Sequence, residues 1–156
     1  MAYENVDVEK AKKAINDCLN SINHRQTSAM LSDLKGNSNW TASSKDTYLE
    51  AVDTLVNVRY KDLVDYLNKS LENLNNIEQV QKLQAQSKDS DTKLTGKRNE
   101  LDIANKKYNA MEDKNSTEAR QLKNKIDTIK SEMSNLQNSI SSNTNDIASI
   151  QSKIEI

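Results

Sequence analysis

From Val8 onward the apolar positions Val8, Ala11, Ile15, Cys18, Ile22 and Ala29 recur at steps of three and four or their multiples, with Leu19 beside the stripe and Arg25 interrupting it. That spacing predicts an amphipathic helix of roughly 27 residues, about 40 Å long at 1.5 Å per residue. The cluster Lys35-Gly36-Asn37-Ser38-Asn39 gathers residues that tolerate turns and left-handed backbone, so the helix is expected to end near Leu34. Trp40 follows, then Thr41-Ala42-Ser43-Ser44, where Ser43 with Asp46 three residues later has the form of a helix start.

The next helical run carries Tyr48, Val52, Leu55, Val56, Leu63, Leu67, Leu71, Leu74 and Ile77. This stripe is too wide for a bare two-stranded seam and implies at least two neighbours. Gln79 to Thr92 is then nearly all polar apart from Val80, Leu83 and Ala85. Within it Ser87-Lys88-Asp89-Ser90-Asp91 reads either as a frayed turn or, there being no proline, as part of a continuous helix.

Around and after Gly96, Leu94, Leu101, Ala104, Tyr108 and Met111 hold a heptad phase, which the polar stretch Glu112 to Glu118 interrupts. From there Leu122, Ile126, Ile129, Met133, Leu136, Ile140, Asn143, Ile147, Ile150 and Ile154 alternate steps of four and three, and nine of the ten are apolar. Met111 and Leu122 lie 11 residues apart, so the two phases are joined by a stutter or separated by a turn. A turn near Asn115, with Asn115 and Glu118 recapping a helix, would fold a helix over 94–113 back along one over 117–154. The first is roughly half as long as the second, so association is expected to cover the remaining apolar ribbon. Asn143 has two open readings: it fixes register or partner number, or it marks a local fray in Ser141-Ser142-Asn143-Thr144-Asn145.

Composition narrows the class. The 156 residues are 35% hydrophobic, with six aromatics, two glycines and no proline. An apolar share below the usual roughly 45–50% argues against a thick core, and β architectures normally spend glycine and proline at their many turns. The expectation is an all-α protein: an antiparallel helical hairpin with a Trp-centred turn over 1–86, and an elongated heptad-patterned helical extension over 87–156. Twenty-two basic against 23 acidic side chains leave no excess for phosphate neutralisation, so no nucleic acid is expected as partner. No run of about 18 apolar residues is present, and the opening MAYENVDVEK lacks a basic segment followed by an apolar one. The chain is therefore expected to be soluble, not to insert in membranes, and to use no general secretory peptide if it is exported.

Candidate chemistry is sparse. Cys18 is the single cysteine and His24 the single histidine; six residues apart on one helix, they stand about 240° apart around it. That separation disfavours a catalytic pair, and Cys18, between Ile15 and Ile22, is expected to be a buried packing residue. Gly36 and Gly96 are too few and too far apart for a phosphate-cradling loop, and the carboxylates are interleaved with lysines as on solvated helix faces. No catalytic residue, metal or cofactor is expected, and the chain reads as a non-enzyme.

Trp40-Thr41-Ala42, followed by Tyr48 eight residues after the tryptophan and then by Val52 and Leu55, resembles the Trp-x-Gly helical-hairpin family of small proteins exported by type VII (ESX-like) secretion systems in Gram-positive bacteria and mycobacteria. The resemblance covers roughly Val6 to Leu74. It implies that the tryptophan lies in the turn between two helices, that an aromatic follows on the second helix, and that two hairpins pair into a four-helix bundle. Trp40, Ala42 and Tyr48 are accordingly the candidate turn and docking residues. Ala42 stands where the family has glycine, so Gly36, Asn37 or Asn39 would supply any left-handed conformation the turn needs. The added C-terminal extension resembles the longer helical proteins that accompany type VII toxins as targeting partners, and the helical delivery domains of those toxins. The family's export signal, Tyr-x-x-x-Asp/Glu, is matched by Tyr108 and Glu112, and by Tyr3 and Asp7. Five tyrosines and 23 acidic residues give about 0.7 such matches by chance, and Tyr108 also fits the apolar stripe as a core aromatic.

The expected function is that of a type VII substrate or targeting partner whose hairpin packs against another helical hairpin, in a homo-oligomer or on a toxin delivery domain, with the secretion machinery as a further partner. The chain would be cytoplasmic before export and secreted or cell-surface after it. The alternative is a coiled-coil structural or adaptor protein unrelated to secretion.

Overall fold

A computed structural model describes residues 5–23, 32–33, 35–36 and 45–154. Four α-helices and one π-helical turn are delimited among the described residues, residues 32–33 and 35–36 are also helical, and no strand occurs among them. Residues 5–75 form one compact unit and residues from Asn76 onward another, so the boundary expected after residue 86 falls within a helix.

Helix α1 spans Val8–Asn23. Asp7 caps it, its Oδ1 accepting the Lys10 backbone N–H at 3.1 Å, and Glu9 places a negative charge in the first turn, where the helix dipole favours it. Val8 is buried and Ala11, Ile15 and Leu19 are half-buried. Cys18 is exposed, contrary to the packing role expected of it. At 100° per residue, Val8, Ile15 and Leu19 lie within about 20° of one line, and Cys18 falls about 80° off it. Gly36 is helical without a positive φ, so it does not supply the left-handed conformation proposed for it; Asn37 and Asn39 lie outside the described residues.

Helix α2 (Lys45–Thr54) passes through a π-helical turn (Leu55–Arg59) into α3 (Tyr60–Ala110). Residues 87–91 are part of α3, which settles the choice between frayed turn and helix. Local bonds explain how so polar a stretch stays helical. Thr92 and Thr95 donate their hydroxyls to the carbonyls of Lys88 and Asp91, which satisfies both side chains within the helix. Asp89–Lys93 and Asp102–Lys106 are ion pairs at i,i+4, both at 2.7 Å, with the acid on the favourable N-terminal side.

Beyond Ala110 the chain turns and returns as α4, Thr117–Gln151. Asp113 Oδ1 accepts the Asn115 N–H at 2.8 Å, while Ser116 Oγ donates to the Asp113 carbonyl and accepts the Ala119 N–H at 3.1 Å. Ser116 is therefore the N-cap, one residue beyond the expected Asn115, because it is the serine oxygen that reaches the free N–H of the first turn. Ala119 beside the cap is fully buried; its small side chain permits close approach.

The two helices form an antiparallel hairpin. Ala104, Ile126 and Ile129 make its buried cluster, flanked by Leu101, Tyr108, Leu122 and Met133. Lys97 Nζ reaches Glu132 Oε2 at 2.9 Å and sets the register. All ten heptad positions of α4 from Leu122 to Ile154 are buried or half-buried, while nearly every residue between them is exposed. The opposing seam was not visible in full from the sequence. It runs Val80, Leu83, Ser87, Ser90, Leu94, Lys97, Leu101, Ala104, Tyr108 at strict steps of three and four, every one buried or half-buried. The expectation that only 94–113 lines α4 is thus corrected: from Asn76 the α3 arm equals the 35 residues of α4.

Candidate functional site

The most distinctive surface feature of the 5–75 unit is a line of exposed apolar side chains on α2, the π turn and α3. Leu55 is 62% and Tyr66 68% exposed, with Tyr48, Val58 and Leu63 near half. Outside this 19-residue stretch, Ile103 alone of the described large apolar side chains is so exposed. The spacing from Tyr48 to Leu55 is seven, two helical turns; from Leu55 to Leu63 it is eight. A π turn takes up one extra residue, so the step of eight across it does the work of seven and keeps Leu63 in line with Tyr48 and Leu55. Val52, Leu67, Leu71 and Leu74, on the adjoining side, are half-buried. Nothing in the sequence signalled the π turn, which contains neither glycine nor proline.

Of the residues singled out for docking, Tyr48 lies on this line. Trp40 and Ala42 lie outside the described residues, as do His24 and Tyr3. An ion pair joins two described residues on either side of the tryptophan in sequence: Lys35 Nζ is 2.8 Å from Asp53 Oδ1. The hydrogen bond from Lys35, helped by one from Asn57, holds the Asp53 carboxyl below its ordinary value.

Tyr108 and Glu112 stand in different surroundings. Tyr108 is in the last turn of α3, its ring half-buried against the Ala104–Ile126–Ile129 cluster. Glu112 is exposed beyond the helix end. Lys114, which the sequence reading did not single out, ties this end down: its Nζ lies 4.7 Å from the centre of the Tyr108 ring and donates to the carbonyls of Tyr108 and Asn109. A cation there satisfies free carbonyls and complements the negative end of the helix dipole.

Among the described residues no three His, Cys, Asp or Glu side chains converge in a way that could hold a metal ion, and no helix is long and apolar enough to cross a membrane. The arrangement offers helix faces for packing. No protein-family model, no curated protein and no solved structure matches the chain.

Proposed function

We propose that the chain is a non-enzymatic type VII secretion substrate or targeting partner that works by packing a helix face against another helical hairpin. The observation that carries the docking part is the exposed line Tyr48–Leu55–Leu63–Tyr66, an apolar ribbon about 25 Å long that a lone unit leaves in water. The assignment to type VII secretion rests on Trp40-Thr41-Ala42 and the Tyr48 that follows it. In this reading the chain is made in the cytoplasm, binds its helical partner there, and leaves by a route that needs no signal peptide.

A second reading, a coiled-coil adaptor unrelated to secretion, is favoured by the α3–α4 hairpin, whose seam runs unbroken over the whole of α4. Export and partner capture in the producing cell, measured beside thermal melts for Trp40→Ala, Tyr48→Ala and Leu55→Asp, separate the two. Docking through this face predicts lost capture and export with little change in melting; loss of a tryptophan anchor commonly costs at least about 2 kcal/mol of binding, roughly thirtyfold in affinity. If the variants melt far below wild type yet are captured and exported normally when folded, the secretion reading fails. A chain that stays in the cytosol regardless of position 40 is an adaptor.

A further inference from the structure

We propose that the distal part of the α3–α4 hairpin is a self-pairing surface, on which a second copy of this chain docks antiparallel, α4 against α4. The inference concerns residues 76–154 alone and does not depend on the secretion reading.

The first observation is charge. Residues 117–133 carry seven charged side chains, whereas from Ser134 to Ser152 there is one, Asp146. A helix surface this long without charges is unusual for one that faces water only, and depletion of charge marks the centre of interfaces. It also favours a copy over a foreign partner. Close to a two-fold axis like residues meet like, so the centre of a self-complementary face is best free of charge, while a foreign helix is steered and selected by charges of opposite sign.

The second observation is incomplete cover. Near the turn, Ile126 and Ile129 are buried; in the uncharged part Ile140, Asn143, Ile147 and Ile150 are only half-buried. Counting away from the Lys97–Glu132 pair, Ile140 and Asn143 lie level with Ser90 and Ser87, too short to cover them, whereas Ile147 and Ile150 lie level with Leu83 and Val80. Gln84 Oε1 and Ser87 Oγ are enclosed there without a hydrogen-bond partner. Enclosed polar atoms of this kind are rare and costly, and the amide of an Asn143 arriving from a second copy at Ile140 brings both donor and acceptor within about one helical turn of Ser87.

Area agrees with a weak, transient dimer. Nineteen residues of helix give about 28 Å, and one helix about 10 Å of width, hence roughly 280 Å² per copy and about 560 Å² in all. The axis falls between Ile140 and Asn143, close to the middle of the uncharged stretch, and layers Ile140 of one copy with Asn143 of the other, and Leu136 with Ile147. In this arrangement Asn143 specifies register and the antiparallel sense, which resolves its two readings.

The test uses the full chain. Sedimentation equilibrium from about 1 to 300 μM is expected to show a monomer passing toward a dimer as concentration rises. Ser139→Glu with Thr144→Glu flanks the seam with exposed side chains that place like charges opposite each other in the dimer; it is expected to weaken dimerisation at least tenfold while helicity and melting of the dilute monomer stay as in wild type. In a Cys18→Ser background, a mixture of Ile140→Cys and Asn143→Cys chains is expected to form a mixed chain-to-chain disulfide under mild oxidation and Lys123→Cys is not. Leu55→Asp, on the other unit, should leave the dimer intact, so loss of partner docking and loss of self-pairing are told apart. A chain that remains monomeric at about 300 μM, a dimer indifferent to the double glutamate variant, or cross-linking at 123 equal to that between 140 and 143 overturns the proposal.

Discussion

Lys97 of α3 occupies a seam position of the hairpin and still keeps its charge in water, its Nζ 2.9 Å from Glu132 of α4 and 3.1 Å from Glu100 of its own helix. The stem lies across the apolar groove while the ammonium reaches the rim, so one side chain both fills a layer and fixes the level at which the two arms meet. Glu132 first, then Glu100, holds the Lys97 ammonium above its ordinary 10.5.

The alkaline behaviour follows from that sign. A raised lysine contributes stability that is fully present below its unfolded value and is lost as pH rises through the folded one. Denaturant melts of wild type and Lys97→Met between pH 9 and about 12.5 are expected to converge only above about 10.5, the difference being salt-sensitive because the pair is exposed. A difference that does not change with pH shows that Lys97 acts by packing alone.

At the acid end the sign reverses. Asp53, held low by Lys35, adds stability above its unfolded value near 3.8, and this is lost as pH falls through the lower folded value. Wild type is expected to lose its advantage over Asp53→Asn only below that range, and Lys35→Met to abolish the advantage throughout. NMR titration of the Asp53 carboxyl checks the direction independently.

Gly96 lies inside α3 with helical backbone, and a Cβ built on it meets nothing within 4 Å. Gly96→Ala is expected to stabilise the hairpin by about 0.5–1 kcal/mol through the unfolded chain's lost freedom, read as a higher denaturation midpoint at unchanged slope.

Removing the cap should do the opposite. Ser116→Ala is expected to cost about 1 kcal/mol, because the Ala119 N–H loses its acceptor in a partly buried turn, and Ser116→Asp to restore most of it. Hydrogen exchange at the Ala119 amide distinguishes this local loss from general destabilisation.

Cys18 is expected to react with a thiol reagent in the native chain about as fast as in the unfolded one, since it is exposed on α1. Strong protection would return it to a packing role.

How much of this was legible in the sequence depended on the size of the side chains in the seam. The α4 line was plain because Ile126, Ile129, Ile140, Ile147 and Ile150 recur among polar residues, and only one packing satisfies such a pattern. Its counterpart on α3 was half hidden: Ser87, Ser90 and Lys97 hold seam positions with side chains that a hydrophobic count reads as surface. On α1 the stripe was found but its centre displaced, since Leu19 and Cys18 are adjacent and only the angle around the helix decides between them. The cap was misplaced by one because Asn115 and Ser116 are both good capping residues. Of the candidate site, Tyr48 was legible and Leu55 and Leu63 belonged to the recognised stripe, but that they stay exposed was not, because periodicity shows which face is apolar and not whether anything covers it. The π turn that aligns them has no compositional mark.

The matched arms of the hairpin also constrain how such a chain can drift in length. Loss or gain of a single residue in either arm turns everything beyond it by about 100° and pulls one seam off the other. Excision of whole sevens at facing levels, such as 87–93 together with 136–142, leaves every remaining layer opposite its former neighbour. Relatives of this protein should therefore differ in hairpin length by paired multiples of seven, with the Asp113–Ser116 turn and its Lys114 clasp carried along unchanged while the arms shorten or grow.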